Sequence, residues 1–295
     1  MRTIVSVVLA ALAALATPAP ALAWGTAAHR FIIGRAIDAL PAPIKPFFDH
    51  FRTELVIRIV DPDNWRTVGW DDEPSHFLDL GAPEFGPYPF VALPREYGAA
   101  IEKFGTSALK RLGVVPWREA EEFGNLRRAM ESFSRNSTFA PTDTMLFTAA
   151  ASHYIEDACQ PLHATNNYDG QLTGQTGVHS RFESALFDRF QSRLTIAPPV
   201  IKPIVSARDR MFEILLESYQ SVQPLLDADK AALGSGDAYD DGYFERFFAG
   251  VKPMLEQRIS ESIAATASLI VGAWEAAGKP DLKAEMPRTV QKIKR

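Results

Sequence analysis

The chain has 295 residues, 46% of them hydrophobic, with a formal charge of −5, which allows one sizeable core or two small ones. Its single cysteine, Cys159, excludes an intrachain disulfide, so packing or bound metal must hold the fold. The negative balance argues against a large static nucleic-acid-binding surface, though not against cleavage of nucleic acid at a metal centre that brings its own positive charge.

Residues 1–23, MRTIVSVVLAALAALATPAPALA, combine Arg2, an apolar run from Ile4 to Ala16, helix-breaking Pro18 and Pro20, and an Ala21-Leu22-Ala23 cleavage signal. This is the pattern of a signal peptide, so the expected mature chain is exported, periplasmic or secreted, and begins at Trp24. The apolar run is short for a membrane span, and no later stretch reaches the roughly 20 apolar residues that one needs.

Most of the chain beyond residue 23 reads as helix. Residues 29–40 place Phe31, Ile32, Ala36 and Ala39 near one face, and Pro41 stops them. Residues 44–59 continue helically with Phe47, Phe48, Phe51 and Leu55 spaced for burial, and Asp61-Pro62-Asp63-Asn64 is a turn signal. Residues 69–94 are rich in Gly, Pro and aromatics; Phe77, Phe85, Tyr88 and Phe90 suit either a loop packed on the core or a lip that contacts substrate. Helices are expected again over 95–112, 117–133 and 142–158. Residues 178–194 form an amphipathic helix with Phe182, Leu186, Phe187 and Phe190 on one side. Residues 204–226 and 243–277 complete the set; Ile263, Ala264, Ala267, Leu269, Ile270 and Trp274 make the last helix apolar enough to be central. Residues 279–295 are polar and end basic, as a frayed tail would be. With no internal repeat and no linker, the expected fold is all-α: a single multi-helix domain over 24–278.

The chemistry concentrates between His153 and Glu183, in HYIEDACQPLHATNNYDGQLTGQTGVHSRFE. Two His-x-x-x-acid pairs, His153 with Asp157 and His179 with Glu183, flank His163. Residues i and i+4 share a helix face, so each pair is spaced to clamp one metal ion. Imidazole with carboxylate is a zinc-type donor set, more suited to a catalytic than a structural site. Pro161 biases Gln160 away from helix, which would end that helix and free His163 to reach a second ion. His29 and His76 are further candidate ligands, whereas His50 has no identifiable partner. No Ser–His–Asp set, Gly-rich phosphate loop or cysteine nucleophile competes.

With these residues in view, the sequence resembles the superfamily of zinc-dependent phospholipases C and fungal-type single-strand nucleases, all-helical enzymes with three zinc ions. The resemblance follows the ligand order along nearly the whole mature chain. It implies that the amino group and carbonyl of Trp24, exposed by signal cleavage, act as ligands together with His29 of WGTAAH and Asp157. It further implies that Asp63, His76, His153 and Asp157 hold a neighbouring ion, Asp157 bridging the two, and that His163, His179 and Glu183 hold a third. Spacing to His76 does not decide between Asp61 and Asp63; the family's nucleases place this aspartate three residues before a basic side chain, which fits Asp63 with Arg66. A cation there would stabilise a phosphorane-like transition state, and Asp63 would also orient or deprotonate the attacking water.

Substrate class is divided. Glu183 in GVHSRFE and His-Ala-x-Asn at His163 to Asn166 resemble the phospholipases. Gly25 to Ala28 and Asn64, however, lack the acidic and aromatic groups that choline recognition needs. The Trp24–His29 spacing and the Asp63–Arg66 pair resemble the nucleases, whose glycine-rich D-x-G-G-N segment is only partly echoed by Asn167-Tyr168-Asp169-Gly170. Phe77 and Asp79 of HFLD would stack on and hydrogen-bond a base, but HFxD is shared by both branches. The expected function is a phospholipase C-like phosphodiesterase acting on a phospholipid headgroup. A single-strand nuclease or 3′-nucleotidase is the alternative, and a non-catalytic metal-dependent binding protein a third reading.

Overall fold

Short helices joined by Gly and Pro turns give way to long apolar ones along the chain. In the computed structural model, residues 24–236 and 238–286 are described; the expected signal peptide, residues 1–23, and residues 287–295 of the expected tail lie outside them. The elements run α1 (Thr26–Asp38), α2 (Lys45–His50), α3 (Arg52–Arg58), α4 (Asp61–Thr67), 3₁₀ turns at Glu73–His76 and Pro83–Phe85, α5 (Tyr97–Phe104) and α6 (Thr106–Leu112). They continue with α7 (Val115–Glu131), a 3₁₀ turn, α8 (Ala140–Ala158), a 3₁₀ turn at Pro161–Ala164, and α9 (Val178–Ser180). A π turn (Arg181–Leu186) leads into α10 (Phe187–Phe190), a 3₁₀ turn, α11 (Ala207–Leu233) and α12 (Asp241–Ala276). No strand occurs among the described residues, so the fold is all-α.

Several expected helices are divided for identifiable reasons. The stretch 44–59 breaks at Phe51, whose backbone leaves the helical region (φ −94, ψ 11). The stretch 95–112 breaks at Gly105 with φ +80, a conformation that favours glycine. The expected turn at 61–64 is the first turn of α4: Pro62 lacks only an N–H that would go unbonded there, and Asp61 and Asp63 sit at the positive end of the helix. In α1 the buried face is Ala28, His29, Ile32, Ile33, Ala36 and Ile37, with Ala39 outside it. Beyond α12, Leu282 is still buried and Trp274 Nε1 donates to the Pro280 carbonyl at 2.9 Å, so the chain remains packed past residue 279.

Helix α12 is central, touching α1, α7, α8 and α11. An extended segment before α11 straps it: Ile204 N donates to the Ser268 carbonyl at 3.1 Å, and Gly272 leaves room that a side chain would fill. Helix α8 divides the interior. Met145 and Ala149 belong to one apolar cluster with α1 and α12, whereas Ala150, Ala151, Tyr154, Ile155 and Ala158 belong to a second with α5, α6, α7 and α11. His153 and Asp157 continue the Met145–Ala149 stripe at i+4 steps, so α8 carries them fully buried into the seam between the clusters. In the long loop, Phe85 and Phe90 are core residues, while Tyr88 is exposed and lies parallel to Tyr219.

Candidate metal centre

Seven helices and turns deliver the expected ligands. His29 comes from α1, Asp63 from α4, His76 from the 3₁₀ turn Glu73–His76, and His153 and Asp157 from the last turns of α8. After Ala158 the chain turns as Pro161 dictates. Gln160 is extended (φ −82, ψ 120) and its side chain caps the next turn by accepting from Leu162 N, which carries His163 away from the α8 face. His179 ends up 3.1 Å from His163, Nε2 to Nε2.

Four of the five histidines have one nitrogen hydrogen-bonded outward and one directed inward. His153 Nδ1 donates to the Ile59 carbonyl at 2.8 Å, His163 Nδ1 to the His76 carbonyl at 2.7 Å, and His179 Nδ1 to the Tyr168 carbonyl at 2.9 Å. His29 Nδ1 meets Glu156 Oε2 at 2.6 Å. His76 is turned the other way, with Nε2 3.3 Å from Asp72 Oδ2 and Nδ1 facing the centre. Such outward bonds fix tautomer and orientation, leaving the inward nitrogen as a lone-pair donor.

The inward atoms form three groups, each with its ligand atoms within 4.8 Å of one another: His29–His153–Asp157, Asp63–His76–His153 and His163–His179–Glu183. The first two share His153, and Asp157 also spans them, its Oδ1 3.3 Å from His29 Nε2 and its Oδ2 2.9 Å from His76 Nδ1. The third stands apart, built on the His179–Glu183 contact of 2.9 Å. Asp63 Oδ1 lies 3.8 Å from His153 Nε2 and accepts from Arg66 at 2.7 Å. Asp61 turns away to pair with Arg58. Of the two aspartates, the geometry brings Asp63 to the centre.

The donors fit a divalent cation. His29 Nε2, Asp63 Oδ2 and Asp157 Oδ1 are buried and have no hydrogen-bond partner within the protein. Burying one unpaired carboxylate costs roughly several kcal/mol even after relaxation, and here several acids converge. A metal ion would supply the missing positive charge, and imidazole with carboxylate suits zinc among several transition metals. The proton balance agrees. Burial disfavours the charged His29 ring, but Asp157 and Glu156 override it and raise its pKa to about 10. Asp157 is held well below the usual carboxylate range: burial opposes this, and His153, His163 and His29 outweigh it. Burial pushes His163 down to about 3 and His179 down to about 4, and lifts Glu183 well above its ordinary value.

Other expected site residues are placed less centrally. Trp24 is fully buried with its ring 5.9 Å from Phe182, and Gly25 lies so close to Ser184 that no side chain would fit. The first described residues are thereby packed on the π turn that carries Glu183. Phe77 and Asp79 are half-buried and belong to none of the three groups. Asp79 N donates to the Leu112 carbonyl, while its Oδ1 is buried without a partner and burial raises the carboxyl to about 7. His50 is exposed.

Two residues that support ligands escape the sequence reading. Asp72 stands four residues before His76, the same spacing as the expected pairs but with the acid first. Glu156 is hidden beside Asp157. The π turn also replaces a regular stretch of the expected 178–194 helix, and such turns are frequent at functional sites. It is pinned by Arg181, which bonds Asp229 at 3.0 Å and the carbonyls of Gln175 and Thr176. No protein-family model and no curated protein matches the chain.

Proposed function

We propose that the chain is an exported, zinc-dependent phosphodiesterase of phospholipase C type. The observation that carries this reading is the convergence of three His/carboxylate groups with an arginine at their edge. The resemblance of the ligand order to trinuclear zinc phosphodiesterases supports it.

His29 and Asp157, with the amino terminus and carbonyl of processed Trp24, would hold one zinc ion; Asp63, His76, His153 and Asp157 would hold its neighbour, and His163, His179 and Glu183 a third. When bound, zinc supplies Lewis acidity that polarises a phosphoryl oxygen and makes a nearby water more acidic. Asp63, with one oxygen on Arg66 and the other unpartnered, orients that water and accepts its proton. The Arg66 guanidinium opposes the negative charge that develops on phosphorus-bound oxygens in a buried, weakly screened site. Helix α8 holds His153 and Asp157 rigidly, so little reorganisation is needed.

Apolar surface close in sequence to the ligands favours an amphiphilic substrate. Val68 and Trp70 follow Arg66, and Tyr168 and Leu172 lie between His163 and His179; all four are exposed. No described helix is long and apolar enough to cross a membrane, so a lipid would be met at a surface. One observation favours the second reading, a single-strand nuclease or 3′-nucleotidase: Asp79, whose Oδ1 is buried without a partner, would hydrogen-bond a base on which Phe77 stacks.

Zinc-loaded protein assayed on phosphatidylcholine, phosphatidylinositol, single-stranded DNA and 3′-nucleotides, with and without chelator, separates these readings. Chelator-sensitive release of a phosphorylated headgroup is the expected result. Cleavage of nucleic acid alone would install the second reading. Zinc-replete inactivity on every substrate would leave a binding protein.

A further inference from the structure

Behind the paired groups lies a buried acid that none of the proposed ligand sets includes. Glu156 is fully buried, and its Oε2 sits 2.6 Å from His29 Nδ1. Its neighbour Asp157 approaches the other nitrogen of the same ring, Oδ1 at 3.3 Å from Nε2. Two consecutive residues of α8 therefore grip one imidazole of α1 from opposite ends. The ring has little freedom to turn, and it is further stacked on His153 with centroids 4.3 Å apart.

Glu156 is itself held. Thr266 on α12 donates to its Oε1 at 3.3 Å, so the line runs from α12 through Thr266 and Glu156 to His29. Three of the other four buried histidines differ, while His76 has the Asp72 carboxylate 3.3 Å from its Nε2. His153, His163 and His179 each rest on a main-chain carbonyl, which orients a ring without adding a full negative charge. A carboxylate does both, and raises the basicity of the opposite nitrogen.

We propose that Glu156 is a positioning residue for the metal centre: through the Nδ1–H of His29 it fixes that ring with Nε2 toward Asp157 and strengthens the hold on one ion of the pair. This inference rests on the metal-dependent reading above. It predicts a site-selective effect. Loss of Glu156 weakens the ion that His29 ligates, while the His163–His179–Glu183 group keeps its ion. Partners that sit behind a metal-bound histidine typically contribute about 10- to 100-fold in affinity.

The test uses the full chain loaded with zinc or cobalt(II) and read by chelator competition and by the visible spectrum of the cobalt form. In Glu156→Ala, one ion is expected to bind about 10- to 100-fold more weakly, with a changed cobalt band, while another keeps its affinity. Glu156→Gln keeps an acceptor for Nδ1–H but no charge, and should fall between Ala and the original chain. Thr266→Val leaves the carboxylate but frees it, giving a smaller change of the same kind; it serves if Glu156→Ala fails to fold. Helical circular dichroism in excess chelator reports folding separately. Unchanged affinities and cobalt spectrum in folded variants would overturn the positioning role. If the original chain binds no divalent metal, the functional reading itself fails, a different outcome from the one that refutes Glu156.

Discussion

The paired groups and the solitary group are built from the same residue types yet treat a proton in opposite ways. His29 and His76 lie among Asp157, Glu156 and Asp72, and both rings hold a proton more tightly than a free imidazole. His163 and His179 contact one expected ligand carboxylate, Glu183, which burial pushes towards its neutral form; burial makes both rings resist protonation although Asp157 pulls the other way. The difference is local anionic charge, since burial is nearly complete in both. Proton and metal compete for the same lone pairs. An ion entering the paired groups must displace ring protons and then gains several carboxylates. One entering the solitary group meets rings that are already neutral, but finds a single acid.

The largest expected effect comes from Asp157→Ala, because Asp157 faces both His29 and His76. This variant should lose the paired ions, keep the solitary one, and lose more activity than the about 10- to 100-fold typical of partners lying behind a ligand. Metal analysis beside a phosphodiester assay checks it. Loss of all metal would show that the groups are not separable. Next comes His179→Ala, expected to release only the solitary ion while the paired ions stay; the same metal analysis decides. Arg66→Ala should leave metal content unchanged and lower kcat by about 100-fold, the scale of one lost transition-state donor. An Arg66→Ala variant with lost metal would make Arg66 a structural partner of Asp63 instead.

The smallest effects concern pH and are read on metal-free protein by denaturant unfolding. His29 has a folded pKa of about 10 against 6.5 for the free ring. Its contribution is thus fully present below pH 6.5 and is lost as pH rises toward 10. The stability gap between the original chain and His29→Gln should shrink over that range. His179 is shifted down, to about 4, so it withdraws stability as pH falls from 6.5 toward 4. His179→Gln should therefore gain relative to the original chain over that acid range. If both gaps moved in the same direction with pH, the contrast between the two regions would be broken.

Much of this contrast is visible in sequence, but only in part. The two His-x-x-x-acid pairs announce their spacing directly, and Pro161 announces the turn that sends His163 to His179. Spacing does not reveal which way a side chain points. It leaves Asp61 and Asp63 open, and only α4 separates them, with one outward on Arg58 and the other against His153. Glu156 is hidden for the same reason, since a helix that is buried all round presents every position to protein. Helix type and overall class follow from periodicity, whereas the breaks at Phe51 and Gly105 and the π turn depend on backbone angles and on packing against Gly25. The proposed role of Trp24 as a ligand would require processing at residues outside the described part.

Zinc content and phosphodiester hydrolysis, followed together on the same sample during a chelator titration, put the proposed three-ion site to its sharpest test. Three zinc ions per chain are expected to leave in two stages, one from the single-carboxylate group and two from the pair, with activity abolished by the end and restored by zinc. Full activity after complete removal of metal, or a zinc-saturated chain that retains none, would contradict a zinc-dependent phosphodiesterase.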